Sequence, residues 1–366
     1  MKIQNQGFDH VEFVVNDIES YTPMYKKMGF EKTGERHLVD RGTRTAVFSQ
    51  GLIRILLTQP DGLQVIESQV KSKDEAIRFL TNHAEGICTL ALDVEDAAAA
   101  FHETTSRGAR PAMAPKTFHS PQGSVVRAEV WTPGDLRYAF IQRSSSNDKT
   151  GPALFDEGLV VSRLESPSPL GLHTIDHLTN NVGMGQTETW RSYYQKVFGF
   201  IVSRHFDIHT TKTGLISDVI QSEDGRVKFP INEATEPQSQ VQEFVDRMKG
   251  PGVQHLALSS DNILNTIRGL REHNYKFLTV PHTYYEVVPT RVPGVSENIG
   301  ELESLGILLD GDKTGYLLQI FSEEMVGPFF FEYIQRKGNQ GFGEGNFRAL
   351  FEAMERDQVK RGVLSA

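Results

Sequence analysis

Apolar and polar residues alternate over residues 8 to 15, Phe-Asp-His-Val-Glu-Phe-Val-Val, and again over 175 to 182, Ile-Asp-His-Leu-Thr-Asn-Asn-Val. That is the period of a strand with one face in a core. After each, the spacing changes to that of a helix, near Ser20 to Met28 and near Glu188 to Phe198, and each helical stretch runs into Gly-Phe, at Gly29-Phe30 and Gly199-Phe200. Glycine just past a helix end takes the left-handed conformation without steric cost, so both helices are expected to stop there. In the first half the pattern then predicts strands over Thr45 to Thr58, Gly86 to Val94 and Val125 to Ile141, with a helix over Ala97 to Gly108. In the second half strands follow over Gly214 to Ile220, Val227 to Ile231, Val253 to Ser259 and Gly306 to Phe321, with a helix over Asn262 to His273. The unit is a strand, a helix and a run of strands, used twice per half, and the class is α+β.

The halves are copies of one another. Asp9-His10-Val11-Glu12-Phe13-Val14-Val15 answers to Asp176-His177-Leu178-Thr179-Asn180-Asn181-Val182, and Gly86-Ile87-Cys88-Thr89 answers to Gly252-Val253-Gln254-His255. Tyr138-Ala139-Phe140-Ile141-Gln142-Arg143 answers to Phe331-Glu332-Tyr333-Ile334-Gln335-Arg336. The offset is 177 − 10 = 167, then 255 − 89 = 166, then 332 − 139 = 193. About 27 additional residues, mostly around Pro281 to Gly300, therefore lie between the second and third of these positions in the C-terminal half. An insertion of that length beside a site is expected to shape its wall.

Residues 144 to 170, with Ser-Ser-Ser-Asn-Asp and Ser-Pro-Ser-Pro, have the composition of a connector. We place the domains at 1–150 and 171–366, with 151–170 between them. Phe347, Leu350, Phe351 and Met354 make one apolar face of a terminal helix over Asn346 to Lys360, either docked or acting as a lid. The glycines at 341, 343 and 345 ahead of it fit neither phosphate-binding spacing. No apolar run is long enough to span a bilayer, the N-terminus lacks a secretory signal pattern, and Cys88 is the only cysteine, so a cytoplasmic setting is expected. A net charge of −9 disfavours broad nucleic-acid binding.

At the three aligned positions the first half reads His10, Thr89, Ala139 and the second His177, His255, Glu332. Two imidazoles and a carboxylate on one face of a metal, leaving three positions open, is the ligand set of non-haem iron(II) oxygenases. The spacings, 255 − 177 = 78 and 332 − 255 = 77, put each ligand on its own strand. The first half retains only its histidine, so His10 is expected to be structural. His205, His209, His273 and His282 share no such pattern and are taken as structural or exposed.

Residues 175 to 182 and 252 to 257, with the runs Leu318-Gln319-Ile320-Phe321 and Phe330-Phe331-Glu332-Tyr333-Ile334-Gln335-Arg336 and the segment Gly341 to Phe347, closely resemble the 4-hydroxyphenylpyruvate dioxygenases. The resemblance spans nearly the whole chain and is strongest from about residue 171 onward. It implies a vicinal oxygen chelate fold, in which paired βαββ modules form a half-barrel in each half. It implies one Fe(II) per subunit on His177, His255 and Glu332, with 4-hydroxyphenylpyruvate and O2 giving homogentisate and CO2 in tyrosine and phenylalanine catabolism. It implies a degenerate, non-catalytic first half, and a homodimer or homotetramer is expected. Matched position by position, the polar pocket residues are Ser217, Asn232, Gln240, Gln254, Gln319 and Asn346, and the aromatic walls are Phe321, Phe330, Phe342 and Phe347. Gln254, Gln319 and Asn346 are the expected catalytic side chains.

Three other readings compete. A 4-hydroxymandelate synthase shares triad and substrate but oxidises the benzylic carbon, and in that family a smaller aliphatic residue tends to match Phe321. An extradiol catechol dioxygenase shares fold and triad. A metal-free protein that binds an aromatic compound is the third, and the intact triad counts against it.

Overall fold

A computed structural model of the chain describes residues 5–39, 42–61, 75–143, 153–156, 159–166, 168–210, 212–292 and 294–347, with 355, 358, 359, 361, 362 and 364. The first half comprises β1 (Asn5–Val14), α1 (Ile18–Lys27), β2 (Glu31–Leu38), β3 (Thr43–Gln50), β4 (Ile53–Pro60), α2 (Glu75–Asn82), β5 (Gly86–Val94), α3 (Ala97–Ser106), β6 (Arg110–Ser120), β7 (Gly123–Trp131) and β8 (Arg137–Arg143). A hairpin, β9 (Ala153–Asp156) and β10 (Leu159–Val161), follows. The second half comprises β11 (Leu172–Val182), α4 (Thr187–Phe198), β12 (Ile201–His209), β13 (Gly214–Gln221), β14 (Lys228–Ala234), α5 (Gln240–Met248), β15 (Gly252–Ser260), α6 (Ile263–Glu272), α7 (His282–Arg291), α8 (Ile299–Leu305), β16 (Leu308–Asp312), β17 (Gly315–Phe321) and β18 (Phe330–Lys337).

The repeat is reproduced strand for strand. The first sheet runs β2-β3-β4-β1-β5-β8-β7-β6 and the second β12-β13-β14-β11-β15-β18-β17-β16, each curling into an eight-stranded half-barrel. In both, an antiparallel central pair, β1–β5 or β11–β15, is flanked by parallel partners. Gly199 ends α4 in the left-handed conformation, as the sequence requires. The insertion in the second half forms α7 and α8, for which the first half has no counterpart between α3 and β6.

One apolar core runs through both halves, from Val11 and Phe13 to Phe331 and Tyr333. Phe13 meets Phe329 edge to face at 4.9 Å, and Tyr138 lies 5.0 Å from Phe198. Burial of each such ring stabilises by about 1.5–3 kcal/mol, which joins the halves far more firmly than a flexible linker would. The backbones of the two halves also touch directly: Leu52 N–H donates to the His173 carbonyl at 2.7 Å. Gly51, at φ +57°, is required there, because a Cβ would sit 2.7 Å from His173 Cα.

Several elements escape the hydrophobic pattern. β2 and β12 are edge strands, and none of β12 is fully buried, so neither shows a clean apolar alternation. In β6 only Phe118 is buried. The segment taken as a connector contains the hairpin β9–β10, whose Leu159 and Val161 are buried against Val47 and Leu56. Val160 packs on the cluster of Ala91, Phe118, Val125, Ala139 and Ile141, so the hairpin fills the hollow of the first half-barrel. Much of the terminal helix expected over 346–360 lies outside the described residues. Glu344 to Phe347 are helical, as are Glu355, Gln358 and Val359. Glu355 accepts hydrogen bonds from the Thr210 and Thr213 hydroxyls at 2.7 and 2.5 Å, and Gln358 donates to the Gln238 carbonyl, which fixes this segment over the second half-barrel. Among the described residues no helix is long and apolar enough to cross a membrane.

Candidate metal centre

The three candidate ligands come from three adjacent strands at the middle of the second sheet. His177 on β11 stands opposite Ala257 on β15, and Ala257 stands in register with Glu332 on β18. His255 is two residues before Ala257 on the central strand, so the pleat turns it to the same face. The outcome is a triangle of donors: one ligand atom from each residue lies within 4.8 Å of the others. His177 Nε2 and His255 Nε2 each lie 3.3 Å from Glu332 Oε2, and all three side chains are buried.

Two β-bulges orient the imidazoles. Ile175 pairs with Leu258 and His177 with Ala257, so Asp176 is an additional residue in β11; likewise Thr179 pairs with His255 and Asn180 with Val253, so Gln254 is additional in β15. A bulge brings neighbouring side chains together that a regular strand would send to opposite faces. Asp176 Oδ2 accordingly lies 2.8 Å from His177 Nδ1, and Gln254 Oε1 lies 3.2 Å from His255 Nδ1. These acceptors bond the Nδ1 atoms and leave both Nε2 atoms facing Glu332, the orientation metal-binding histidines use. Gln254 Nε2 in turn donates to Gln240 Oε1 at 3.0 Å.

The electrostatics follow. Burial raises the Asp176 carboxyl, but Arg336, whose Nε and Nη2 donate to it at 2.7 and 2.8 Å, together with His177 holds it well below the usual carboxylate range. Burial lowers His177, yet Glu332 and Asp176 raise it on balance, whereas at His255 burial prevails and the imidazole is held down. Burial opposes ionisation of Glu332, but His177 and His255 bring it down to about 2. The second carboxylate oxygen, Glu332 Oε1, accepts from Gln319 Nε2 at 2.8 Å. Two inward nitrogen lone pairs and one carboxylate oxygen, each held by an outer partner, fit a divalent transition-metal ion.

A cavity enclosing about 490 Å³ of open space, continuous with solvent on one side, begins at the triad. Asn232, Gln240, Gln254, Phe321, Phe342 and Phe347 line it alongside Thr179, Leu215 and Pro230. Apart from the triad that lining carries no charge. Phe342 meets His177 edge-on at 5.2 Å. Phe330 does not line the cavity; it stacks on His255 at 4.9 Å. Gln319 and Asn346 also lie behind the wall, linked by Asn346 Nδ2 donating to Gln319 Oε1 at 2.9 Å. Ser217 shares the face of Leu215 and stands opposite Asn232, with its buried Oγ lacking a hydrogen-bond partner.

The first half keeps the scaffold without the ligands. His10 stands opposite Ala91, and Ala91 stands in register with Ala139, so His10, Thr89 and Ala139 occupy the three ligand positions. The outer partners persist: Asp9 lies 2.6 Å from His10 Nδ1 and accepts from Arg143 at 2.8 Å, as Asp176 does from Arg336. Where the second half has a cavity, Glu12 accepts from Thr58 and Thr89 at 2.7 and 3.1 Å and lies 3.7 Å from Arg137. Register also matches Phe321, opposite Glu332, with Glu129, opposite Ala139. Glu129 is committed to a buried ion pair with Arg127 at 2.6 Å.

Comparison with known proteins matches each half to a family model. Residues 2–128 match the model described as hydroxyphenylpyruvate dioxygenase, N-terminal, and residues 174–287 match the glyoxalase, bleomycin resistance protein and dioxygenase superfamily. The chain is 37% identical to the 4-hydroxyphenylpyruvate dioxygenase of Pseudomonas aeruginosa, over 99% of this chain and 97% of that one. The chain belongs to the 4-hydroxyphenylpyruvate dioxygenase family. Another relative is hemolysin VllY of Vibrio vulnificus, 37% identical over 98% of this chain and 96% of its own. Among solved structures, a triple mutant of 4-hydroxymandelate synthase from Streptomyces coelicolor shares the fold, with a TM-score of 0.80 at 24% identity over 98% of this chain and 100% of that one. For a member of the 4-hydroxyphenylpyruvate dioxygenase family, sequence reasoning passed over Thr179, Leu215 and Pro230. The period-two rule would have supplied Thr179, two residues from His177 on the same strand face.

Proposed function

We propose that the protein converts 4-hydroxyphenylpyruvate and O2 to homogentisate and CO2, using Fe(II) held by His177, His255 and Glu332. The observation that carries the reading is the position of this triad at the end of a cavity whose remaining lining is uncharged phenyl, aliphatic, hydroxyl and amide groups. In this reading residues 171–366 are the catalytic domain and 1–150 a non-catalytic one.

When bound, the iron supplies the electrons that activate O2 and the Lewis acidity that holds an α-keto acid. The protein's own groups do the rest. Gln319 occupies Glu332 Oε1, so the carboxylate would offer an iron ion held by His177, His255 and Glu332 a single oxygen. Asp176 and Gln254 keep the imidazole protons on Nδ1, so neither ring turns away from the centre. Asn232, Gln240 and Ser217 offer neutral donors and acceptors for the phenol, adding no charge that would compete for the metal. Phe321, Phe342 and Phe347 hold the aromatic ring and keep water from the reacting atoms. Asn346 acts through Gln319. The reading carries with it a cytoplasmic setting, which the single buried Cys88 suits, and a homodimer or homotetramer, which sedimentation would measure.

The test is product identification after incubating iron-loaded protein with 4-hydroxyphenylpyruvate and O2. Homogentisate is expected. 4-Hydroxymandelate would transfer the chain to benzylic chemistry, and absence of oxygen uptake would defeat both.

A further inference from the structure

The residues behind Glu332 form a chain with a fixed polarity. Arg291 on α7 can only donate hydrogen bonds, and its Nη2 reaches Asn346 Oδ1 at 3.0 Å; the Tyr284 hydroxyl lies 2.6 Å from the same oxygen. Asn346 must therefore present its oxygen to α7 and its Nδ2 to Gln319 Oε1, at 2.9 Å. Gln319 in turn must present its oxygen to Asn346, and its Nε2 donates to Glu332 Oε1 at 2.8 Å and to the Phe342 carbonyl at 3.1 Å. The far end demands the same direction, because an ionised carboxylate can only accept. A donor-only group at one end and an acceptor-only group at the other thus fix two amides that would otherwise be free to flip.

We infer that Arg291 and Tyr284 are positioning residues for the metal-binding carboxylate, acting through Asn346 and Gln319. The inference rests on the proposed role of Glu332 as a ligand. Three further observations support it. The α7 helix belongs to the insertion found only in the half that keeps the triad. Sheet register places Gln319, opposite Ile334, at the position Arg127 holds opposite Ile141 in the first half, where a salt bridge to Glu129 replaces the relay. Finally, Gly343, at φ +77°, is a glycine at the point where any Cβ would overlap Gln319 Oε1, so the loop is shaped to admit that amide. Arg291 also donates to the Gly345 carbonyl at 3.1 Å and to the Leu309 carbonyl, and the Tyr284 hydroxyl accepts from the Leu309 N–H at 2.8 Å. The relay therefore ties the insertion and the loop bearing Phe342 and Phe347 to one carboxylate oxygen.

The consequence is a carboxylate that would offer a metal ion one oxygen. Without its α7 donors Asn346 can rotate and Gln319 Oε1 loses its donor, so Gln319 would be held only by Glu332 and the Phe342 carbonyl and would keep Glu332 Oε1 from a bound metal ion less firmly.

The experiment compares the full chain with Arg291→Met, Tyr284→Phe and Arg291→Lys, each loaded anaerobically with cobalt(II) as a spectroscopic probe and separately with Fe(II). Arg291→Met and Tyr284→Phe should shift the visible cobalt(II) bands and weaken metal binding by about tenfold or more, the range typical for outer partners of ligands. They should lower kcat with a smaller change in KM for 4-hydroxyphenylpyruvate, and Arg291→Lys should recover part of each effect. Cobalt spectra and metal affinities identical to wild type in both Arg291→Met and Tyr284→Phe, whatever happens to the melting temperature, would overturn the inference. A wild-type chain that binds cobalt yet makes no homogentisate defeats the functional reading alone and leaves the spectral comparison decisive. A wild-type chain that binds no metal overturns both.

Discussion

Thr89 and His255 hold the same place in the two sheets, each standing opposite the residue two positions beyond the histidine of its half, Glu12 and Thr179. One side chain is a hydroxyl bonded to a carboxylate, the other an imidazole aimed at one. That difference separates a filled half-barrel from a half-barrel with a candidate metal centre.

His255→Ala should abolish turnover while leaving the fold intact, because the hollow already holds a cavity and the strand keeps its ladder. Thr89→Ala should leave activity within about twofold of wild type, costing only a buried hydrogen bond of about 1 kcal/mol. Steady-state oxygen uptake and circular dichroism check the pair. Comparable activity losses in both would contradict the division of labour.

The carboxylates behind the two histidines offer a second contrast. Asp176→Asn removes the charge that fixes His177 and should weaken Fe(II) binding by about 10- to 100-fold, measured by anaerobic titration. Asp9→Asn breaks an equivalent pair in a half without the other ligands, so metal affinity should not change. Stability should fall by about 3 kcal/mol, since Arg143 loses its buried partner.

Acid should act through the same two groups. Burial favours the neutral carboxyl at both, but Arg143 and His10 hold Asp9, and Arg336 and His177 hold Asp176, well below the ordinary range. A depressed carboxyl contributes stability that is complete above its unfolded value, about pH 4, and that is lost as pH falls toward the folded value. The melting temperature of the metal-free chain should therefore drop below about pH 4, and Asp9→Asn should flatten the drop while starting from a lower plateau. An unchanged acid slope in that variant would remove Asp9 from the account.

Leu159→Ala tests the hairpin that fills the first half-barrel. Leu159 is fully buried against Val47 and Leu56, so its truncation should cost about 2–5 kcal/mol. Denaturant unfolding should show that loss with kcat unchanged, because the hairpin plugs the half that lacks the triad. A large fall in kcat at unchanged stability would mean that the first half takes part in the chemistry.

The candidate ligand positions were legible because strand alternation and an internal copy constrain them together: His177, His255 and Glu332 lie where a period of two and a repeat of fixed register put them. The fold was legible for the same reason wherever one strand face is buried. The edge strands β2 and β12 were not, since β12 has no buried residue and β2 buries only Thr33. Nor could the pattern show that Asp176 and Gln254 are bulge residues. A bulge changes which side chains meet without altering residue type, so their service to the neighbouring imidazoles emerges only from the register. Tyr284 and Arg291 lie in the insertion, where the repeat offers nothing to compare, and their link to Glu332 passes through residues far apart in sequence.

The most direct test of the account is the stoichiometry of Fe(II) binding, measured anaerobically on wild type, Thr89→Ala and His255→Ala. One iron per chain is predicted for the first two, with binding lost in the third. Two irons per chain in wild type, or full binding in His255→Ala, would contradict the claim that only the second half-barrel holds the metal.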